Sequence, residues 1–305
     1  MTKKHKIEAV LYHLFVCLFG LLMIYPVLWM ISGSLKNNTE ILNGGMNLIP
    51  PAWRVENFAN GWKGFCGISF ATFFSNSFFV ASVSTIATVL SSACVAYAFS
   101  RVKYKGRNIW FTAMICTMMI PTQIILVPQY IIYNKLGFVG TYLPLILPHF
   151  FGQAFFIYQM MQFGSGIPRD LDEAAIIDGC SKYTIFTKIF LPLLKPSIVT
   201  TIIIQFYWKW DDFMSPMIYL SKPKMYTASV AIKNFADSTS TTDYGAMFAM
   251  STLSLIPVFL IFLFFNRYLV EGISTSEMCI RDSSRCLKSP LLFPDWETVR
   301  SVHFT

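Results

Sequence analysis

The sequence predicts an all-α polytopic membrane protein with six transmembrane helices, and three observations carry that prediction. The chain of 305 residues is 54% hydrophobic and only 13% charged, against about 25% charged residues in soluble domains. Its mean hydropathy of +0.52 cannot be hidden in one water-soluble core, because a soluble surface needs far more polar side chains. Six separate segments are long and apolar enough to cross a hydrocarbon layer about 30 Å thick, which takes ~20 helical residues. This composition excludes a soluble enzyme, a nucleic-acid binder and a disordered chain. The net charge of +8 sits in loops between apolar runs, where it orients a membrane protein.

The expected spans are residues 10–31, 73–99, 109–133, 142–163, 198–220 and 245–268. The first follows Lys3, Lys4 and Lys6. It is too long for a signal-peptide core of about 7–15 residues and lacks a small-residue cleavage site, so it is expected to be a retained helix. The second is rich in Ser, Ala and Thr, which allow close helix packing. Pro121 and Pro128 interrupt the third, where kinks would free backbone carbonyls inside the protein; a gate and a simple packing bend both fit. In the fourth, His149 and Gln153 are spaced as i,i+4 neighbours on a helix, the usual mark of a satisfied interhelical hydrogen bond.

Loop cations set the expected orientation. With the N-terminus inside the cell, the inner segments hold Lys3, Lys4, Lys6, Arg101, Lys103, Lys105, Arg107, Arg169, Lys182, Lys188 and Lys195. The outer segments hold Lys36, Arg54, Lys63, Lys135, Lys222, Lys224 and Lys233 over a greater length. Both termini are therefore expected in the cytosol, with the chain multi-pass in the cell's plasma membrane and in contact with lipid. Residues 1–72 form a first helix with a long outer loop, punctuated by Gly44, Gly45, Pro50, Pro51, Trp53 and Trp62 and expected to be ordered. Residues 73–276 form the transmembrane core.

The inner loop 164–196 is expected to carry a helix over residues 170–186, because Asp170 and Asp172 favour a first turn. Leu171, Ala174, Ala175 and Ile185 alternate there with Lys182 and Lys188. Such a helix either seats on a cytosolic partner or lies on lipid headgroups, and periodicity leaves both open. The loop reads Glu173-Ala174-Ala175, three residues ending in Asp178, then Gly179, nine residues, and Ile189-Phe190-Leu191-Pro192. This is the pattern E-A-A-x3-G-x9-I-x-L-P complete. It resembles the EAA signature of permease subunits in ATP-binding cassette importers, where the segment docks on an ATPase. In that role Glu173 would pair with a partner cation and Ala174 and Ala175 would permit close approach. Gly179 would let the chain bend, and Leu191-Pro192 would end the segment. Glu173 capping its own helix is the plainer alternative.

Residues 1–276 as a whole resemble the MalG-like, carbohydrate-uptake branch of these permeases. Met119-Ile120-Pro121-Thr122-Gln123, Pro168-Arg169-Asp170-Leu171, Trp210-Asp211-Asp212-Phe213 and Val270-Glu271-Gly272-Ile273 carry the likeness. The resemblance implies a type I ABC importer permease fold and a permease subunit of a binding-protein-dependent sugar importer. It implies as partners a MalF-like permease, two ATPase subunits and an extracytoplasmic sugar-binding protein. ATP and Mg would bind the ATPases, and this chain would hold no cofactor and no nucleic acid. Residues 277–305 lack the likeness and are expected to be a non-native extension.

The chain has no G-x-x-x-x-G-K-[ST] phosphate loop, G-x-S-x-G elbow or H-E-x-x-H pair, so ATP chemistry and hydrolysis are not expected in it. Its seven cysteines form no C-x-x-C pair. In the fifth span Lys209, Asp211 and Asp212 must pair or face water, since each charge at mid-bilayer costs ~2.5–3.5 kcal/mol. One reading is a Lys209–Asp212 ion pair at i,i+3. The other is a lining of the substrate path, with Tyr207, Trp208 and Trp210 facing sugar rings, Asp211 or Asp212 accepting hydroxyls, and Gln123 contributing. A secondary transporter of small polar solutes is the rival function. It would need coupling-ion carboxylates in several spans and an inverted repeat, whereas the acids cluster in one span.

Overall fold

The computed structural model describes residues 3–44, 47–236 and 243–286. All regular structure among them is helical, apart from one isolated bridge between Phe65 and Ile68.

The helices in order are α1 (Lys3–Gly33), α2 (Asn38–Asn43), α3 (Glu56–Lys63) and α4 (Phe70–Arg101). Next come α5 (Arg107–Met118), α6 (Thr122–Lys135), α7 (Leu143–Ile146) and, after a 3-10 turn over Leu147–Phe151, α8 (Ala154–Ser165). The loop 164–196 holds α9 (Asp170–Ile177), α10 (Lys182–Ile185), a π turn over Phe186–Phe190 and α11 (Leu191–Leu193). The chain finishes with α12 (Lys195–Asp211), α13 (Met214–Tyr219), α14 (Ala228–Asn234) and α15 (Tyr244–Cys286).

Among the described residues, three stretches are unbroken and apolar enough to span a bilayer: Leu11–Gly33, Phe70–Arg101 and Tyr244–Phe265. None of the first stretch's most apolar window is buried; a helix apolar all round with no protein cover is suited to lipid or to another membrane helix. The expected third span is instead a bent pair, α5 and α6 meeting at 99°. The break falls at Met119–Pro121, where Pro121 cannot continue a helix N-terminal to itself. Pro128 stays inside α6. The expected fourth helix is also divided, since Gly152 at φ +81° starts a new segment that only glycine enters without strain. His149 and Gln153 therefore do not share one helix. The expected fifth helix ends at Asp211, and α12 pairs with the helices before it, Lys182–Leu193, across a 72° bend. The sixth continues as backbone helix through Cys286, beyond the point where the expected tail begins; residues 287–305 lie outside the described residues.

Contacts divide the chain into two compact units, each assembled from distant pieces of sequence. In the unit formed by residues 1–82, 126–145 and 207–260, Phe70, Phe73, Phe235, Ala246 and Met250 form a buried core. The segment after α1 is ordered by polar bonds. Asn37 and Glu40 close a capping box on α2, and the buried Asn57 carboxamide donates to the carbonyls of Ser34 and Lys36 at 2.9 and 2.8 Å. Asn76 in α4 donates to Lys224 and Tyr226 carbonyls, tying distant segments to one helix.

In the unit formed by residues 83–125, 146–206 and the described residues from 261 on, Ala93, Ala96, Met160, Phe190 and Leu194 form the core. Here the small residues of α4 do what their size allows: Ala87, Thr88, Ser92, Ala93, Ala96 and Ser100 are all buried, which lets neighbouring backbones approach.

Candidate functional site

The segment that carries the EAA pattern is built from short pieces. α9 is eight residues long, with Asp170, Asp172 and Glu173 in its first turn, where carboxylates complement the positive end of the helix dipole. The helix expected over residues 170–186 ends at Ile177 because of Gly179. At φ +77°, Gly179 occupies the left-handed position that closes a helix. Its own N–H donates to Ile176 O at 3.0 Å and that of Cys180 to Ala175 O at 2.9 Å, the paired bonds of a Schellman termination. Ser181 then caps α10, accepting from Thr184 N at 3.2 Å.

Pro192 does not end the segment. It lies in the first turn of α11, where its missing N–H is tolerated, and the π turn Phe186–Phe190 precedes it. The sharp bend comes after Leu193.

Exposure sorts the motif residues into two faces. Ala175, Ile185 and Phe190 point into the protein. Glu173, Ala174, Asp178 and Gly179 are exposed, together with Leu171, Ile176 at 60%, Ile177 at 85% and Tyr183 at 75%. Of the two alanines, only Ala174 is available to an incoming surface. Ile189 and Leu191 are half-buried and Pro192 is exposed.

The inward face rests on the end of α4. Tyr97 places its ring 5.1 Å from those of both Phe186 and Phe190, and its hydroxyl donates to Lys182 O at 3.2 Å. Arg101, whose side chain is 4% exposed, pairs with Asp172 at 3.3 Å. It also donates to the carbonyls of Gly164 and Ile167 at 3.0 and 2.7 Å. Sequence reasoning counted Arg101 only as a loop cation. The available signal was its place as the last residue of an apolar helix, where a cation that cannot reach water needs an acid.

The second candidate group gathers where α12 ends. Lys209 and Asp212 form the ion pair of the first of the two readings, Nζ to Oδ2 at 3.2 Å. The other Asp212 oxygen accepts from Ser215 N at 3.1 Å, and the Asp212 carbonyl accepts from Ser229 at 2.8 Å. These acids sit at a helix break rather than in mid-helix, so capping the next turn satisfies Asp212. Trp210 is buried, donates its indole N–H to Ser254 O at 3.1 Å and meets Phe74 at 5.7 Å. Tyr207, Trp208 and Asp211 are exposed.

Gln123, in the first turn of α6, is exposed. Gln129 donates to the Tyr133 hydroxyl at 2.9 Å and accepts from that of Tyr219 at 3.3 Å. His149 joins a buried polar cluster: its Nδ1 lies 3.1 Å from Thr88 Oγ1 and 3.2 Å from Gln205 Nε2, and its carbonyl accepts from Ser91. That is the interhelical bonding expected of it.

Residues 89–275 match the family described as the binding-protein-dependent transport system inner membrane component. Over 265 residues the chain is 34% identical to a probable ABC transporter permease protein, YurM, of Bacillus subtilis, covering 87% of this chain and 86% of that one. It is 30% identical to the arabinooligosaccharides transport system permease protein AraQ of the same organism, covering 86% of this chain and 92% of the relative. The fold is similar to a chain in the crystal structure of a bacterial ABC transporter involved in the import of the acidic polysaccharide alginate. That likeness has a TM-score of 0.77 at 20% identity and covers 88% of this chain and 98% of that one. With the family match spanning more than half its length, the chain belongs to the inner membrane permease components of binding-protein-dependent ABC transport systems.

Proposed function

We propose that this permease forms one half of the sugar pathway of an ATP-driven importer, and that α9 is its seat on a cytosolic ATPase. The observation that carries the reading is the exposed apolar surface at the C-terminal end of α9: Ile176 and Ile177 are exposed within the EAA pattern, with Leu171 also exposed at the start of the helix. A short helix with its inner face packed and its outer face apolar is suited to a socket on a partner. A MalF-like permease would complete the pathway, a second ATPase would sit on it, and an extracytoplasmic binding protein would deliver cargo. Residues 1–72 supply the first helix and outer loop of this scheme and residues 73–276 the core. The bent and divided segments complete six crossings with both termini inside. The relative AraQ names arabino-oligosaccharides, and a neutral oligosaccharide is the first cargo to test here.

The test is Ile177→Cys in the assembled complex, made in a chain whose own seven cysteines are replaced by serine and treated with a short bifunctional maleimide. A covalent adduct with the ATPase supports the seat. Labelling of that cysteine from the outer face of sealed cells, with no adduct, refutes it.

Asp211 and Tyr207 are exposed at the end of α12, as is Trp208, and we assign Asp211 and Tyr207 to the pathway lining, with Gln123 as a further contributor. Asp211→Ala is expected to raise the half-saturating sugar concentration for uptake about tenfold, as loss of hydrogen bonds to a charged group would. ATP hydrolysis by the partner should persist. Unchanged half-saturation would remove Asp211 from the pathway.

A further inference from the structure

The end of α4 grips the inner loop at three places. The Arg101 guanidinium donates through Nη2 to the Gly164 and Ile167 carbonyls, in the stretch that enters α9. Its Nη1 meets Asp172 Oδ2 at 3.3 Å, in the first turn of α9 itself. The same group lies 5.8 Å from the centre of the Phe190 ring, beyond the Gly179 bend. One turn back, Tyr97 holds Lys182 O and stacks near Phe186 and Phe190. A single side chain therefore touches the loop before, within and after its helix. Arginine alone has a planar fork able to serve a carboxylate and two carbonyls at once; a lysine ammonium is a single point charge.

These contacts have a mechanical consequence. α9 is bounded by Gly166 on one side and Gly179, in a left-handed conformation, on the other. A helix of eight residues with such ends would swivel if pushed. α4 is an unbroken helix of 32 residues. We propose that Arg101, through Asp172, is the positioning residue that joins α9 to α4, so that movement imposed on α9 passes into α4 instead of being absorbed by the loop. The proposal rests on the reading of α9 as the ATPase seat.

The experiment uses the assembled complex in proteoliposomes carrying Arg101→Lys, Asp172→Asn or Asp172→Glu. The probe is Mg-ATP with a binding protein loaded with arabino-oligosaccharide, or with alginate oligosaccharide if only that raises its Tm. In Arg101→Lys and Asp172→Asn the cross-link from position 177 should still form and basal ATP hydrolysis continue. Stimulation by the loaded binding protein and sugar uptake should fall about tenfold, within the usual range of coupling between sites. Asp172→Glu should retain most of both. Wild-type stimulation in Arg101→Lys and Asp172→Asn, with the cross-link intact, overturns this proposal alone. Failure of both variants to assemble also overturns it, by making the pair a folding element. Absence of the cross-link with Arg101 in place overturns the docking reading and this proposal together.

Discussion

Replacing Ile177 with glutamate is expected to abolish sugar uptake, by about 100-fold or more, while the permease still reaches the membrane. Ile177 is 85% exposed in this chain, so the change should cost the isolated permease little; surface substitutions usually stay within about 0.5 kcal/mol. Seated in an apolar socket, an unpaired carboxylate loses its hydration without compensation, at a cost of several kcal/mol. The ATPase should therefore fail to co-purify with the Ile177→Glu complex, whereas Ile177→Leu should behave as wild type. The alternative use of α9, lying on headgroups, makes a different forecast: the ATPase would remain bound and uptake would fall modestly. Retention of the ATPase at wild-type stoichiometry would decide against docking through this face.

The second large effect is expected from Phe190→Ala. Phe190 is 1% exposed, stacked near Phe186 with centroids 6.4 Å apart and close to Tyr97. Gly164 makes room for it, since a Cβ there would stand 2.8 Å from the ring tip. Truncating such a ring leaves a cavity that packed neighbours cannot close, which costs ~3–5 kcal/mol. The change should lower the Tm of the detergent-solubilised permease by several degrees and loosen the EAA loop, raising proteolysis between residues 164 and 196. Phe190→Leu should lose less than half as much. A Tm unchanged in Phe190→Ala would mean that the loop is held by its polar contacts alone.

The two variants act on opposite faces of one segment, and the sequence distinguished those faces only in part. The EAA pattern identified Gly179 by position, and its φ of +77° gives the reason in backbone terms. The same pattern treated Ala174 and Ala175 as equivalent. Their difference, one exposed and one buried, follows from how α9 lies on its neighbours, which no local propensity specifies. Likewise the expected helix over residues 170–186 rested on composition, and composition carries no information about a left-handed termination unless glycine is given that role.

Lys209 and Asp212 were legible as a pair because the i,i+3 spacing is a local property of helical backbone. Trp210 was not. Its chemistry suits a sugar face and a helix-packing contact equally, and only the positions of Phe74 and Ser254 commit it to packing. Arg101 was hidden for the same reason: its partners lie 63 to 71 positions away in sequence.

Hydropathy, charge placement and one spaced motif were enough to establish a helical membrane permease, because bilayer thickness and backbone hydrogen bonding leave a spanning chain few alternatives. Tertiary structure decided which apolar segments run straight, which bend at Pro121 or Gly152, and which side chains of the EAA loop are buried. Those outcomes depend on contacts between segments far apart in the chain, where van der Waals fit and paired polar groups, rather than partition between water and lipid, set the energy.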